Sequence, residues 1–190
     1  MVKALVVGAS GGIGRALALA LETGGDEVTR LSRREDGLDV TDEASITSAL
    51  CRISGPFDTV FIATGALETD KGGPEKSLRS LTPQALQAQF AVNALGPVPV
   101  LKHLLPHLPK DAACRIGVLS ARVGSIGDNR LGGWYSYRAS KAALNQLLHS
   151  AAIEIARSHR QAVIAALHPG TVATDFTARY AGQHPTVPPE

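Results

Sequence analysis

Cysteine is scarce in this sequence. The chain has two cysteines, Cys51 and Cys114, more than sixty positions apart, so neither a disulfide framework nor a metal-binding cysteine pair is predicted. Long apolar runs are also lacking. No segment approaches the roughly 20 apolar residues that cross a bilayer, and the N-terminal run stops at Gly8, short of a signal-peptide core of about 7 to 15 residues. These absences favour a reducing cytoplasmic location, with no membrane partner and no metal site.

An excess of charge is lacking as well. The net charge is +2 and the basic residues are scattered along the chain, so a nucleic-acid partner is not expected. Apolar residues make up 44% and charged residues 19% of the 190 positions, proportions typical of a globular protein. A chain of this length fits one domain with a full core. We expect a domain over residues 1–182 and an irregular, proline-containing tail over residues 183–190. For that tail a truncated substrate-binding region and a natural short form are both open.

Short runs rich in Val and Ile alternate with amphipathic segments of helical length. This pattern predicts the α/β fold class, a single doubly wound Rossmann-type domain in which helices flank a parallel sheet. Residues 68–80, with two glycines and a proline, are predicted to form a surface loop. The predicted strands are Lys3–Val7, Glu27–Ser32, Thr59–Ala63, Arg115–Leu119 and Ala162–Leu167, and the predicted helices are Gly12–Glu22, Ala44–Cys51, Pro83–Asn93, Pro97–Leu105 and Tyr135–Ser158.

A glycine-rich turn follows the first predicted strand and opens a helix. Ligands bind at this edge of an open α/β sheet. Gly8 permits a tight turn, Gly12 lets backbone N–H groups approach a pyrophosphate, and Gly14 lets the helix pack closely on the sheet. The turn therefore predicts a dinucleotide site that includes Gly8, Ser10, Gly11, Gly12, Ile13 and Gly14, whereas a P-loop is disfavoured because no Gly-Lys-Ser/Thr follows.

The end of the second strand bears on which dinucleotide is bound. A carboxylate there would hold the ribose hydroxyls of NAD(H), and an arginine would hold the 2′-phosphate of NADP(H). The chain has Ser32 where an acidic residue would stand, followed by Arg33, which can form a forked bond to phosphate. NADP(H) is therefore favoured. NAD(H) remains open if Glu35 or Asp36 folds back to the ribose.

Tyr137 and Lys141 are four residues apart on the last predicted helix, so their side chains lie on one face, about 5 to 6 Å apart. A tyrosine has a pKa near 10 and is a poor base at neutral pH. A nearby ammonium, with an oxidised nicotinamide ring, favours the phenolate and is expected to lower that pKa. Tyr137 can then donate a proton to a carbonyl or remove one from an alcohol.

Taken in order, these motifs resemble the short-chain dehydrogenase/reductase family, most of all its small members of the C-factor and sniffer-like carbonyl reductase type. The resemblance spans nearly the whole chain. It is carried by the glycine turn, by Leu38-Asp39-Val40-Thr41, by Asn93, by the Tyr137–Lys141 pair, and by His168-Pro169-Gly170-Thr171-Val172.

The resemblance implies four catalytic residues, Tyr137, Lys141, Asn93 and Ser120. In the family, the lysine also holds the nicotinamide ribose, and the asparagine anchors a water that connects the lysine to solvent. The family usually carries paired serines, of which the second polarises the substrate carbonyl. Here the first matches Ser120 and the second is Ala121. Ser120 could serve if the loop shifts, and Ser125 is the other candidate.

The resemblance also assigns binding residues. Asp39 is expected to accept from the adenine amino group, beside Val40, although a helix cap is the alternative role. Ala63, Thr64 and Gly65 stand where the family has Asn-Asn-Ala-Gly, so that only a backbone role near the adenine ribose transfers. The residues expected to close on the nicotinamide carboxamide are Pro169, Gly170, Val172 and Thr174.

Two functions follow from this reading. The first is NADP(H)-dependent, reversible reduction of a small aldehyde or ketone to an alcohol, with Trp134 and Phe176 as candidate pocket residues. The second is a dinucleotide-binding regulatory or signalling protein with little turnover, which the alanine at position 121 favours. The long helices resemble the elements through which this family forms dimers or tetramers, so the resemblance implies a homodimer or homotetramer. The alanine-rich faces of these helices permit the close packing that this requires. His168, His103 and His107 lack metal-like spacing and are expected to be structural.

Overall fold

The computed structural model describes residues 1–180 and 186–189. Its centre is a five-stranded, wholly parallel sheet in the order β2-β1-β3-β4-β5. Helices cover the sheet, which confirms the predicted α/β fold. The strands are β1 (Lys3–Val7), β2 (Glu27–Leu31), β3 (Thr59–Ile62), β4 (Cys114–Leu119) and β5 (Ala162–Leu167), and the helices are α1 (Gly12–Thr23), α2 (Arg33–Asp36), α3 (Glu43–Leu50), α4 (Pro83–Phe90), α5 (Pro97–Leu104) and α6 (Tyr135–Ile155).

The core lies between the sheet and its helices. Four consecutive residues of β1, Ala4–Val7, are fully buried, as expected for a central strand covered on both faces. The main cluster joins side chains of β1, β3 and β4 to those of α3, α5 and α6, with Phe57 as its largest fully buried member. No helix in the described ranges is long and apolar enough to cross a membrane.

Hydrogen bonds at element ends explain where the predicted boundaries were wrong. Strand β2 ends one residue early because the Ser32 hydroxyl accepts the Glu35 N–H at 3.1 Å and begins α2, a short helix that the pattern did not predict. Helix α3 begins at Glu43, one residue before its predicted start, because the Asp42 carboxylate accepts the Ala44 N–H at 2.9 Å and caps the helix there.

The helix predicted over Pro83–Asn93 changes its geometry near its end. The α-helix stops at Phe90, and Ala91–Leu95 form a wider turn, closed by a hydrogen bond of 2.9 Å from Gly96 N to Ala91 O, five residues back. Wide turns of this kind are rare inside helices and are frequent at functional sites. Asn93 lies within this turn.

Two predicted irregular segments carry more structure than expected. Glu75, in the predicted surface loop 68–80, is buried at 6% exposure. In the predicted tail, residues 183–185 and 190 lie outside the described residues, but Val187 forms a parallel bridge with Val172. The division into residues 1–182 and a tail stays a prediction.

Candidate active site

The glycine turn at the end of β1 is held by close backbone contacts. Gly8 has a φ of +90°, a value that L side chains rarely adopt. A β-carbon at Gly14 would lie 2.3 Å from the Gly8 carbonyl oxygen, so only glycine lets α1 approach the strand this closely. A β-carbon at Gly12 would lie 2.4 Å from Thr174 Cγ2. Gly12 is therefore also required by the side chain packed over it.

The N-terminus of α1 fits the phosphates of a dinucleotide. The residue before the helix is Gly11, no side chain caps the first N–H groups, and the first turn holds no acidic residue. Free N–H groups and the helix dipole together favour an anion. Across the cleft, Thr64 Oγ1 is buried with no hydrogen-bond partner in the described part of the chain, so it is free to bind a polar ligand group. These observations match the polar, anionic surface of a nicotinamide dinucleotide.

A cleft of about 810 Å³ runs from this turn along the ends of β1, β2 and β3. The predicted cofactor-binding residues that line it are Gly8, Ser10, Gly11, Arg33, Asp39, Val40, Ala63, Thr64 and Gly65. Four other predicted residues, Gly12, Ile13, Gly14 and Thr174, are not part of its lining, although all four belong to or pack against the glycine turn. The other predicted cofactor-binding residues, on the segment that follows β5, lie in different places. Gly170 lines a second cavity and Val172 is buried. Pro169 lines neither the cleft nor the second cavity.

The charged residues that follow β2 form hydrogen bonds and an ion pair with their neighbours. Arg33 Nη1 is 4.0 Å from Asp39 Oδ2, and the arginine side chain is 80% exposed. Asp39 accepts the Thr41 hydroxyl at 2.6 Å and the Thr41 N–H at 2.8 Å, and the Thr41 hydroxyl is the main cause that lowers the pKa of Asp39. Asp36 accepts the Ser32 N–H at 2.7 Å, and neither it nor Glu35 lines the cleft.

Tyr137 lies in the first turn of α6 with 6% of its surface exposed. Its ring is edge-on to Trp134, with centroids 6.1 Å apart, and 6.4 Å from Phe176. Burial among these rings raises the pKa of Tyr137 to about 12. The phenol is therefore protonated at neutral pH.

Lys141, one turn further along α6, is buried at 3% exposure, and burial lowers its pKa to about 8. Its Nζ donates to the Leu119 carbonyl oxygen at 2.9 Å and lies 5.9 Å from the centre of the Tyr137 ring. In this structure desolvation of the phenol dominates the pKa of Tyr137, and the Lys141 ammonium donates to a backbone carbonyl. That Lys141 and an oxidised nicotinamide ring together lower the pKa of Tyr137 stays a prediction.

Tyr137 opens into a second cavity of about 730 Å³. Trp134 and Phe176, predicted as pocket residues, both line it, as does Ala121. A β-carbon added at Gly65, which lines the dinucleotide cleft, would lie 3.6 Å from Lys141 Nζ. Tyr137 and Lys141 therefore stand between the cleft and the cavity.

Asn93 is fully buried and fixes the loop that follows β3. Its amide accepts the Ala66 N–H at 2.9 Å and donates to the Ala66 carbonyl at 2.8 Å. A third hydrogen bond, of 2.5 Å, runs from Asn93 Nδ2 to Gln89 Oε1. A β-carbon at Gly65 would lie 3.0 Å from Asn93 Oδ1. Asn93 thus belongs to the same neighbourhood as Lys141, and its side chain holds the backbone there.

The serine predicted to polarise the substrate is turned elsewhere. The Ser120 hydroxyl donates to Asn145 Oδ1 at 2.6 Å, and Ser120 does not line the cavity that Tyr137 faces. Ser125, the alternative, is exposed and is also absent from that lining. The residue at the cavity wall is Ala121, which carries no hydroxyl.

The start of α6 depends on Glu75 and Ser136, two residues for which the sequence pattern predicts no role. Glu75 accepts the Ser136 N–H at 3.1 Å and also binds the Ser136 hydroxyl, and its carbonyl accepts the Trp134 N–H. Trp134 adopts a φ of +53° after Gly132 and Gly133. The paired glycines were a visible signal of this turn, whereas a cap 61 residues away in sequence leaves no local pattern.

No three or more His, Cys, Asp or Glu side chains come together as metal ligands within residues 1–180 and 186–189. His168 lines the cavity. His103 lies 2.8 Å from Glu43 Oε1, where α5 packs on α3.

Comparisons with known proteins agree with this geometry. Residues 2–184 match the family model described as short chain dehydrogenase. The 1-hydroxy-2-glutathionyl-2-methyl-3-butene dehydrogenase of Rhodococcus sp. strain AD45 is 33% identical, over 100% of this chain and 86% of that protein. The C-signal protein of Myxococcus xanthus is 41% identical over 46% of this chain and 51% of its own length.

Among solved structures, one described as a short-chain dehydrogenase/reductase of Burkholderia multivorans with bound NADP superposes with a TM-score of 0.79. The two are 27% identical, and the match covers 98% of this chain and 85% of that one. The family model, the relatives and the fold agree. This chain belongs to the short-chain dehydrogenase family, and it is an oxidoreductase that binds a nicotinamide dinucleotide and acts on a small molecule.

Proposed function

We propose that this protein uses NADP(H) to reduce a small aldehyde or ketone reversibly to an alcohol, with Tyr137 as the proton donor. The observation that carries the proposal is the position of the Tyr137–Lys141 pair. Tyr137 lines the cavity of about 730 Å³, and Lys141 lies beside Gly65 of the dinucleotide cleft. A proton donor therefore stands where a substrate and the cofactor can meet.

The residues of the cleft have separate tasks in this proposal. The uncapped N–H groups of α1 hold the pyrophosphate, Asp39 and Val40 receive the adenine, and Thr64 offers its unpartnered hydroxyl to the adenosine ribose. Pro169, Gly170, Val172 and Thr174 close on the carboxamide. When bound, the nicotinamide ring supplies or accepts a hydride at the substrate carbon.

The protein supplies the proton. In reduction, the Tyr137 hydroxyl donates its proton to the carbonyl oxygen as that oxygen gains charge. The high pKa of the phenol keeps this proton in place at neutral pH. The Lys141 ammonium, held by Leu119 O, stabilises the phenolate that remains. Asn93 is a positioning residue, since it fixes Ala66 and the cleft wall next to Lys141.

NADP(H) is the proposed cofactor because Arg33 lines the cleft whereas Glu35 and Asp36 do not. Asp36 is occupied with the Ser32 amide, so the carboxylate that would select NAD(H) is turned away. The Burkholderia relative solved with NADP supports the same choice. A homodimer or homotetramer and a cytoplasmic location remain predictions of the sequence.

The test is NADPH oxidation over a panel of aldehydes and ketones, with wild-type protein and the Tyr137→Phe variant. We expect the variant to lose about a hundred- to ten-thousandfold in kcat while its affinity for NADPH, measured by fluorescence titration, changes less than about threefold. The phenol faces the cavity and not the phosphate end, which is why binding should survive. Turnover that the variant retains in full would refute the proposal.

A dinucleotide-binding signalling protein is the second candidate, and one observation favours it. Ala121 leaves the cavity without the hydroxyl that polarises a carbonyl, and Ser120 is bound to Asn145. The C-signal protein is similar to part of this chain. Tight NADPH binding together with no oxidation of NADPH by any member of the panel would select this function.

A further inference from the structure

The charged residues of the cavity beside Tyr137 are mostly positive. Three arginines, Arg122, Arg130 and Arg138, and one carboxylate, Asp128, contribute to its lining. Three arginines against one aspartate leave the lining with an excess of two positive charges. An uncharged aldehyde would use none of these charges for binding.

One arginine is neutralised within the lining. Arg122 Nε is 2.5 Å from Asp128 Oδ2, and its Nη2 is 3.3 Å from Asp128 Oδ1. This two-pronged bond occupies the fork of the guanidinium. The excess therefore resides on Arg130 and Arg138.

Arg138 is oriented by the backbone. It follows Tyr137 directly on α6, is half-buried, and donates from Nε to the Gly133 carbonyl at 3.0 Å. That bond uses one of the five N–H donors of a guanidinium. Arg130 makes a single contact of 3.4 Å to the Asn129 carbonyl. Within residues 1–180 and 186–189, neither arginine forms a salt bridge with a carboxylate.

We propose that the substrate of this enzyme carries an anionic oxygen-acid group, a carboxylate or a phosphate, which Arg130 and Arg138 bind while its carbonyl meets Tyr137. The inference rests on the proposed reductase function. Guanidinium groups bind such groups through paired, charge-assisted hydrogen bonds. Arg138 follows the proton donor Tyr137 directly on α6, and its guanidinium is held by the Gly133 carbonyl. A guanidinium fixed in this way would orient the substrate as well as attract it.

The first test compares two aldehydes of similar shape, 4-carboxybenzaldehyde and its methyl ester. We expect wild-type protein to prefer the carboxylate in kcat/KM by about tenfold or more, the contribution of a charged hydrogen bond. 4-Phosphonobenzaldehyde, in a parallel assay, distinguishes phosphate-like from carboxylate recognition. A wild-type ratio near one for both anions would overturn the inference.

Three variants locate the effect. Arg138→Gln and Arg130→Gln should each lower the preference for the carboxylate severalfold, and Arg138→Lys should restore part of it. Arg130 is exposed, so Arg130→Gln removes a positive charge without disturbing the fold. It tests the role of that charge even if Arg138→Gln disturbs the start of α6. Arg157→Gln is the matched control, since Arg157 is exposed and outside the lining, and it should keep the wild-type ratio. An unchanged ratio in both Arg130 and Arg138 variants would contradict the assignment.

A binding measurement separates this inference from the reductase proposal. Trp134 is the one tryptophan of the chain, and it lines the cavity. Its fluorescence can follow binding of 4-(hydroxymethyl)benzoate and of the corresponding methyl ester, with and without NADPH. Tighter binding of the carboxylate supports the inference even if no aldehyde is reduced, whereas equal binding of both overturns it even if both aldehydes are reduced.

Discussion

The dinucleotide cleft and the cavity beside Tyr137 treat charge in opposite ways. In the cleft, each carboxylate has a cation nearby: Asp39 has Arg33, Glu68 has Arg179 at 3.1 Å, and Asp70 has Lys71 at 2.6 Å. In the cavity, Arg130 and Arg138 have no carboxylate partner among the residues that the structure describes.

This difference indicates how each region selects its ligand. A dinucleotide carries several negative charges on its phosphates. The cleft offers backbone N–H groups of α1 to bind them, more than charged side chains. Binding of the phosphates there is expected to depend on the shape of the glycine turn. The charges of the cavity are carried by side chains, and so we expect its selectivity to depend on them.

Among the variants that test this comparison, the largest effect is expected from a substitution that disturbs the glycine turn. In Gly14→Ala, the added carbon would lie 2.3 Å from Gly8 O and push α1 off the strand. We expect NADPH binding to weaken about a hundredfold, as a strain of about 3 kcal/mol implies. Fluorescence titration measures it. Gly127→Ala is the control, because nothing lies within 4 Å of its added carbon. Equal affinities in the two variants would deny that the glycine turn carries the binding.

The next effect concerns the cavity alone. Ala121→Ser places a hydroxyl in the wall next to Tyr137, where it can polarise a carbonyl. We expect kcat to rise about ten- to a hundredfold, because a single donor of this kind is worth at least that much. Steady-state NADPH oxidation provides the measurement. Ser120→Ala, which removes a hydroxyl bound to Asn145, should change kcat by less than about threefold. The reverse ranking of these two variants would return the catalytic role to Ser120.

A smaller effect is expected at the one arginine of the cleft. Arg33→Gln should weaken NADPH binding about tenfold and leave NADH binding unchanged, because only NADPH carries the 2′-phosphate. Titrations with both nucleotides check this, with Arg34→Gln as the neighbouring control outside the cleft lining. Loss of affinity for both nucleotides alike would show that Arg33 does not read the 2′-phosphate.

The smallest effect is on the pH dependence of reduction. Burial lowers the pKa of Lys141 to about 8, so its charge, and the stabilisation of the phenolate, is present below that pH and lost above it. Burial raises the pKa of Tyr137 to about 12, so the phenol keeps its proton throughout. We expect kcat/KM to fall by up to about tenfold between pH 7 and pH 9. A profile that rises through this range would assign the proton transfer to another group.

The sequence predicted those parts of the molecule that depend on neighbouring residues. Strands β1 and β5 have the predicted bounds, because the apolar runs Ala4–Val7 and Ala162–Leu167 have the length of a strand and end at Gly8 and His168. The glycine turn was likewise visible as a local pattern between a strand and a helix.

Long-range contacts were not predictable in this way. Glu75 caps α6 from 61 residues away, and Thr174 packs over Gly12. The pKa of Tyr137 depends on how deeply its ring is enclosed, and the spacing of Tyr137 and Lys141 contains no information on that depth. The opposite charge arrangement of the two regions also arises only when distant loops meet.

The most direct measurement is a crystal structure with NADP⁺ and 4-(hydroxymethyl)benzoate bound together. We predict the pyrophosphate at the N-terminus of α1, the alcohol oxygen within hydrogen-bond distance of the Tyr137 hydroxyl, and the carboxylate against Arg130 and Arg138. A Tyr137 hydroxyl that points away from both the nicotinamide and the alcohol would contradict its role as the proton donor, and would leave only the binding of a dinucleotide.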